Sequence, residues 1–400
     1  MPARLETLDF DEFHREELPR RLAAGHGALA AADGARIGSL AFRLTGGGAY
    51  SYIPQADRID IVSGDEQAQT VVELDSESWQ GIVRELETPP GLIYARRVKC
   101  LRGDPMHFVR WEPRLRAMYN GRPVFNPETV ELQARDGSSL DVHQTFALAS
   151  EPEEMAHFLR TAGYLLVKNV FTPEEIASFR EHGEGLRDSA RQGDKKSWWG
   201  RNTRGDAVLC RVTNAGSRPI FRDLYQDPRL TRLVRLCDEK LTPREADGVE
   251  GVTVLFKNPD MSEGLSDLPW HRDCGMGGHA VMCPVINLSI YLAAASRQAG
   301  ELRMLPGSWK GSYGFVEATD TSGPEGVALA AEAGDVSLHY GDVMHAAPPP
   351  EGPGPYRASV LLNFRPPDFL HHRGEDNYND VLLQRSDGQV EHLRKAASRT

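Results

Sequence analysis

From Gly251 onward the chain is written as short pieces rich in β-branched and aromatic residues. They are VTVLFK (252–257), AVMCPVINLSIYLAA (280–294), ELRMLPG (301–307), DVSLHY (335–340), VMHAA (343–347) and RASVLLNF (357–364). Each is fenced by Gly, Pro or Asp, as turns require. No helical stretches alternate with them, so a doubly wound parallel sheet is disfavoured. Many short strands of this kind predict a sandwich or jelly roll.

The entry to this region has a different texture. Ser150 and Glu153 make a capping-box pattern with Pro152 in the first turn, and Met155, Phe158 and Leu159 share one helical face. A strand is expected over GYLLVKNVF (163–171). The start signal then repeats, with Thr172 as cap, Pro173 first and Glu175 closing the box.

A Gly-, Pro- and polar-rich stretch, 120–144, precedes this entry and marks a boundary. We therefore expect a smaller α+β domain over 1–140 and a mainly β domain over 150–400. The first block has strand-like pieces LAFRLTGG, AYSYIP, RIDIVSG and TVVELD. A helix follows at SESWQGIVREL, capped by Asp75 or Ser76. It carries no His/Cys/Asp cluster for a metal, so its expected role is binding or assembly.

Bulk properties narrow the class. A formal net charge of -11 argues against a nucleic-acid partner. Five cysteines without a C-x-x-C pair read as reduced thiols. The acidic, polar N-terminus is unlike a signal peptide, and LAAGHGALAAA (22–32) is too short to span a bilayer. The expectation is a cytoplasmic protein without stable membrane insertion; a homodimer is left open.

The chemistry concentrates in LPWHRDCGMGGH (268–279). His271 and Asp273 are two apart, which on an extended strand places both side chains on one face. His345 lies in a second short strand. Arg357 follows twelve residues later in an apolar strand, where a guanidinium needs a carboxylate partner. Two histidines and one carboxylate form the facial ligand set of non-haem Fe(II) oxygenases. Three coordination positions stay open for a 2-oxo acid and dioxygen, and Arg357 is suited to hold the far carboxylate of such a co-substrate.

The chain from about Glu151 to Pro367 resembles the phytanoyl-CoA dioxygenase family of Fe(II)/2-oxoglutarate enzymes. The likeness rests on GYLLVKNVFTPEEI, LPWHRD, GELRMLPGSW and GDVSLHYGDVMHAAPPPEGPGPYRASV, in that order. It implies a double-stranded β-helix, with His271, Asp273 and His345 on Fe(II), Arg357 on 2-oxoglutarate, and O2 as oxidant. The implied reaction hydroxylates an unactivated C–H of a small organic or lipid-like substrate, releasing succinate and CO2. Asp273 argues against halogenation, since related halogenases replace this carboxylate with a small residue. Trp309 stands where the family usually has the His of PGSH, and Ala346–Ala347 follow the distal His in place of Gly-Ser. The N-terminal block is similar to sterol-carrier-type lipid-binding domains, through TVVELDSESWQGIVREL and the segment that follows it.

Other residues are weighed against these. Lys257 and Asn287 lie on predicted inner strands and are candidates for contacting 2-oxoglutarate or substrate. His279 and His339 are read as rim or core histidines, and Cys274 as unneeded for the metal. Trp198, Trp199 and Arg201 are placed in a loop, as a packed segment or a lid. Two other functions stay open: a catalytically inactive lipid or acyl carrier, and a cupin-like metal enzyme using no 2-oxo acid.

Overall fold

The computed structural model describes residues 6–31, 37–237, 240–243, 251–264, 268–274, 285–316, 323–350, 357–367, 388–389 and 391–400. His279 and Cys283 lie outside these residues.

The N-terminal part is a five-stranded sheet under helices. Its spatial order is Ile59–Ser63, Ala49–Pro54, Leu40–Leu44, Thr70–Leu74 and Val98–Arg102. All neighbours are antiparallel except Leu40–Leu44 with Thr70–Leu74, which are parallel. The helix Ser76–Val83 starts where Asp75 accepts the Ser78 N–H, and Pro105–Arg110 starts on the Asp104 carboxylate. The helix Glu112–Asn120 ends at Gly121, left-handed at φ 65°. The interior is filled by its own rings: Phe42, Tyr52, Trp79, Phe108, Trp111 and Tyr119 are all fully buried. Their polar atoms form a chain, with His14 Nε2 2.6 Å from Tyr52 Oη and Tyr52 Oη 2.7 Å from Tyr119 Oη.

Between Gly121 and Thr145 only isolated bridges occur. The helix Pro152–Ala162 then begins at Glu151 rather than at Ser150, whose hydroxyl instead accepts the Ala147 N–H. The reciprocal Thr172/Glu175 box does form at Pro173–Ser189. Gly163, at φ 91°, turns the first helix into the strand Tyr164–Lys168. A side chain there would fall 2.5 Å from Val343 and 2.6 Å from Trp309.

Two sheets follow. The larger is ordered Met261–Glu263, Ser197–Asn202, Ala207–Val212, Thr253–Lys257, Arg357–Arg365, Ile286–Tyr291, Val336–Tyr340, Tyr164–Lys168, Phe146–Ala147, with Thr242–Pro243 also on Arg357–Arg365. The smaller is ordered Leu268–His271, His345–Ala347, Leu302–Met304, Val327–Leu329. This is the jelly-roll architecture expected, behind an α+β region. The loop expected at Trp198, Trp199 and Arg201 is instead the Ser197–Asn202 strand, paired with Ala207–Val212. The turn chemistry of Asn202–Asp206 closes a hairpin there, and the buried Trp198 ring stacks under Arg211.

Alternation in the large sheet explains its two faces. Ile286, Leu288, Ile290, Val336, Leu338, Val360, Leu362 and Phe364 cluster with Met155, Phe158 and Phe179 of the covering helices. The alternate positions, in register with one another, are Asn287, Tyr291, Ser337, His339, Arg357, Ser359, Asn363 and Lys257. Most of this inner row is polar, and most of it is buried. A strand face that is polar and buried needs partners, from the protein or from a ligand.

The C-terminal segment returns to the first region. Leu393, Ala396 and Ala397 belong to the N-terminal hydrophobic cluster, and the Cys100 N–H donates to the Thr400 carbonyl. Among the described residues no helix is long and apolar enough to cross a membrane.

Candidate metal centre

His271 ends its strand directly opposite His345 in the small sheet, so both rings emerge on the same face. Their centroids are 4.3 Å apart. Asp273 lies just beyond the strand, fixed by its N–H to the Gly341 carbonyl at 2.9 Å. The intervening Arg272 points the opposite way, as alternation demands. Asp273 Oδ1 is 3.7 Å from His271 Nε2, and Oδ2 is 3.7 Å from His345 Nε2. One ligand atom from each of the three lies within 4.8 Å of the others. Facial ligands at bonds of about 2.1 Å sit roughly 3 Å apart, so small side-chain rotations close this set on an ion.

Electrostatics suit a metal. His345 Nδ1 donates to the Val343 carbonyl at 2.9 Å, which leaves the lone pair on Nε2, facing Asp273. Burial lowers the His345 pKa below its ordinary value, against the opposing pull of Asp273, so the ring is neutral and able to ligate at neutral pH. Burial alone would raise the Asp273 carboxyl. His345, His339 and His271 outweigh it and hold the group well below the usual carboxylate range. Asn287 Nδ2 donates to Asp273 Oδ2 at 2.5 Å and in turn accepts from Asn363. His339 Nε2 is 3.5 Å from the same oxygen.

Arg357 opens the neighbouring strand and is 4 % exposed. Its Nε has no hydrogen-bond partner among the described residues, and burial depresses its pKa. Lys257, its register partner, is buried and donates to the Ala347 carbonyl at 2.7 Å. A buried guanidinium atom without an acceptor fits an anionic ligand in this space.

Residues 159–358, half of the chain, match the family model described as Phytanoyl-CoA dioxygenase (PhyH). The chain belongs to the phytanoyl-CoA dioxygenase family. All six residues singled out in the sequence, His271, Asp273, His345, Arg357, Lys257 and Asn287, lie within the matched part of this family member. The match does not include the first 158 residues.

No curated protein matches the chain. Among solved structures, it is similar to the non-heme alpha ketoglutarate dependent carbocyclase SnoK from nogalamycin biosynthesis. The identity is 19 % over 62 % of this chain and 96 % of that one, with a TM-score of 0.47. The epimerase SnoN from the same biosynthesis gives 20 % identity over 54 % and 82 %, with a TM-score of 0.43. HygX from Streptomyces hygroscopicus, solved with nickel and 2-oxoglutarate, gives 20 % over 55 % and 88 %, with a TM-score of 0.40.

This family member departs from the usual pattern at Trp309, and the structure gives the reason. The indole stacks on Tyr340 with centroids 4.5 Å apart and donates to the Arg160 carbonyl. It packs the helix Pro152–Ala162 onto the sheet. Sequence reasoning left Asn363 and Tyr291 unnoticed and read His339 as a core or substrate-side residue. The signal for all three is the period-two polar row in INLSIY, VSLHY and RASVLLNF.

Proposed function

We propose that the protein is an Fe(II)/2-oxoglutarate-dependent dioxygenase that hydroxylates an unactivated C–H bond of a small organic or lipid-like molecule. The carrying observation is the buried Arg357, with an unsatisfied Nε, on the same inner face as the residues around Asp273. His271, Asp273 and His345 would hold the Fe(II). A metal in this ligand set supplies the coupling of O2 reduction to oxidative decarboxylation of a 2-oxo acid. One oxygen atom of O2 enters the product alcohol, and the other enters succinate as CO2 leaves.

The chain's own residues do the positioning. Arg357 offers its guanidinium fork to the distal carboxylate, with Lys257 adding positive charge beside it. Asn287 engages one oxygen of Asp273 and thereby orients the carboxylate toward the two histidines. The Val343 carbonyl fixes the tautomer of His345.

We further read residues 1–140 and 150–400 as two units, with the terminal helix Leu393–Ala397 docked on the first. The ring-filled interior of the first unit supports assembly rather than lipid carriage. Purified protein supplied with Fe(II), O2 and 2-oxoglutarate should form succinate, even slowly without the natural substrate. Absence of succinate under every substrate tried would overturn the reading.

A further inference from the structure

The strand that carries His271 is short, and among the described residues its pairing is irregular. Among the described residues it is the outermost strand of the small sheet, and its register with His345–Ala347 consists of two pairs, Leu268 with Ala347 and His271 with His345, with an irregularity between. Among the described residues, those two pairs and the Asp273 and Cys274 N–H bonds to the Gly341 carbonyl hold the segment on which two of the three candidate ligands sit. An edge of this kind needs support from its other face.

Arg272 supplies a link to that other face. It is the one residue between His271 and Asp273, and its side chain is 7 % exposed. Its Nη2 donates to the Tyr313 carbonyl at 2.8 Å, and its Nη1 is 3.5 Å from Glu112 Oε1. Glu112 is equally buried and opens the helix Glu112–Asn120 of the N-terminal unit. Behind it the charges continue: Arg116 Nε is 3.3 Å from Glu85 Oε1, and Arg122 Nη2 is 3.1 Å from Glu85 Oε2. The same contact zone is stitched by backbone. The Phe125 N–H donates to Ser312 and the Ser312 N–H to Pro123, both at 2.8 Å, beside a cluster of Phe125, Trp270, Leu305, Met344 and Ala346.

We propose that Glu112 is a positioning residue for the metal centre, acting through Arg272, so that the N-terminal unit holds the His271–Asp273 segment in register with His345. A buried ion pair is a costly way to gain stability, because both charges lose their hydration. Its use is geometric. With the guanidinium bonded at the rear to the Tyr313 carbonyl and its Nη1 facing Glu112 Oε1 at 3.5 Å without a hydrogen bond, the backbone of residue 272 cannot rotate without breaking a buried contact. The two flanking side chains turn with that backbone. Burial pushes the Glu112 carboxyl up to about 7, against the pull of Arg116, so the contact is held by geometry as much as by charge; removing the carboxyl group takes away the packing partner of Arg272 Nη1 and frees the segment to shift.

This inference rests on the dioxygenase reading, and the test separates the two. Anaerobic Fe(II) is titrated into protein with excess 2-oxoglutarate while the visible charge-transfer band is followed. Wild type, Glu112→Gln, Glu112→Asp and Thr172→Ala are compared, with the metal-free thermal midpoint recorded for each. Outer partners of metal ligands are worth roughly 10–100-fold in metal affinity. Glu112→Gln should weaken Fe(II) binding about tenfold and alter the band. Glu112→Asp, which keeps the charge, should recover part of the loss. Thr172→Ala, which removes a remote helix cap, should lower the midpoint without moving the affinity. Should Glu112→Gln fail to fold, Arg272→Lys is measured in the same way, and the same weakening is expected. A normal band and affinity in the Gln variant, or an equal loss in Thr172→Ala, overturns the positioning role. A wild type that binds no Fe(II) or shows no band overturns the dioxygenase reading instead.

Discussion

Asp273 accepts from Asn287 on the oxygen that also faces His345, and Asn287 is itself held by Asn363. Replacing Asn287 with Ala should therefore weaken Fe(II) affinity roughly 10–100-fold while leaving the fold intact. Equilibrium dialysis checks this, and unchanged affinity would show that the amide does not orient the carboxylate. Arg357→Ala should act differently. Truncating one member of a buried charge pair costs about 2–5 kcal/mol, so the KM for 2-oxoglutarate should rise roughly 30-fold or more with iron binding retained. The proposed ligand residues could be singled out because their types are restrictive: H-x-D, a later His and an Arg in an apolar strand. The Asn287–Asp273 contact was not legible, because it joins residues of two different sheets, and register between sheets leaves no local signature. The approach of Arg272 to Glu112 was missed because it joins the small sheet to a helix 160 residues earlier in the chain, which leaves no local signature either.

At the scale of elements, the strands announced themselves through β-branched runs and turn residues, and an observed strand falls on each expected piece. Caps were readable where they were reciprocal. The Thr172/Glu175 box forms, whereas Ser150 gives way to Glu151, since Ser150 is engaged by the preceding turn. Thr172→Ala should cost about 1 kcal/mol and lower the melting midpoint by roughly 2–4 °C. Trp198, Trp199 and Arg201 were misplaced in a loop because KKSWWGRNTRGD looks polar and glycine-bearing. Packing of Trp198 against Arg211 overrides that local preference.

For the whole molecule, pH should act through the N-terminal core. Burial pushes the His14 pKa down to about 4 from 6.5, against its hydrogen bond to the Phe10 carbonyl. The unfolded chain then binds more protons between those values, so this group's effect is to lower stability as pH falls from about 6.5 to about 4. The full swing is about 3 kcal/mol at roughly 1.4 kcal/mol per pKa unit. Burial of Glu87, raised to about 7, has the opposite sign. Comparing His14→Gln with wild type in denaturant melts at several pH values isolates the histidine. The variant should lose roughly 2–3 kcal/mol of the acid-side dependence. The polar stretch 120–144 is where we place the boundary between the two proposed units. The return of the last helix to the first core was not, because LRKAA carries too few apolar residues to reveal its destination.

The central claim is that His271, Asp273 and His345 bind Fe(II) beside a 2-oxoglutarate site governed by Arg357. Its most direct test is an anaerobic titration with both components, following the visible charge-transfer band in wild type, His345→Ala and Arg357→Ala. The band should appear in wild type and be lost or sharply weakened in both variants. Iron binding in wild type without a band, or a band of full strength in either variant, would contradict the assignment.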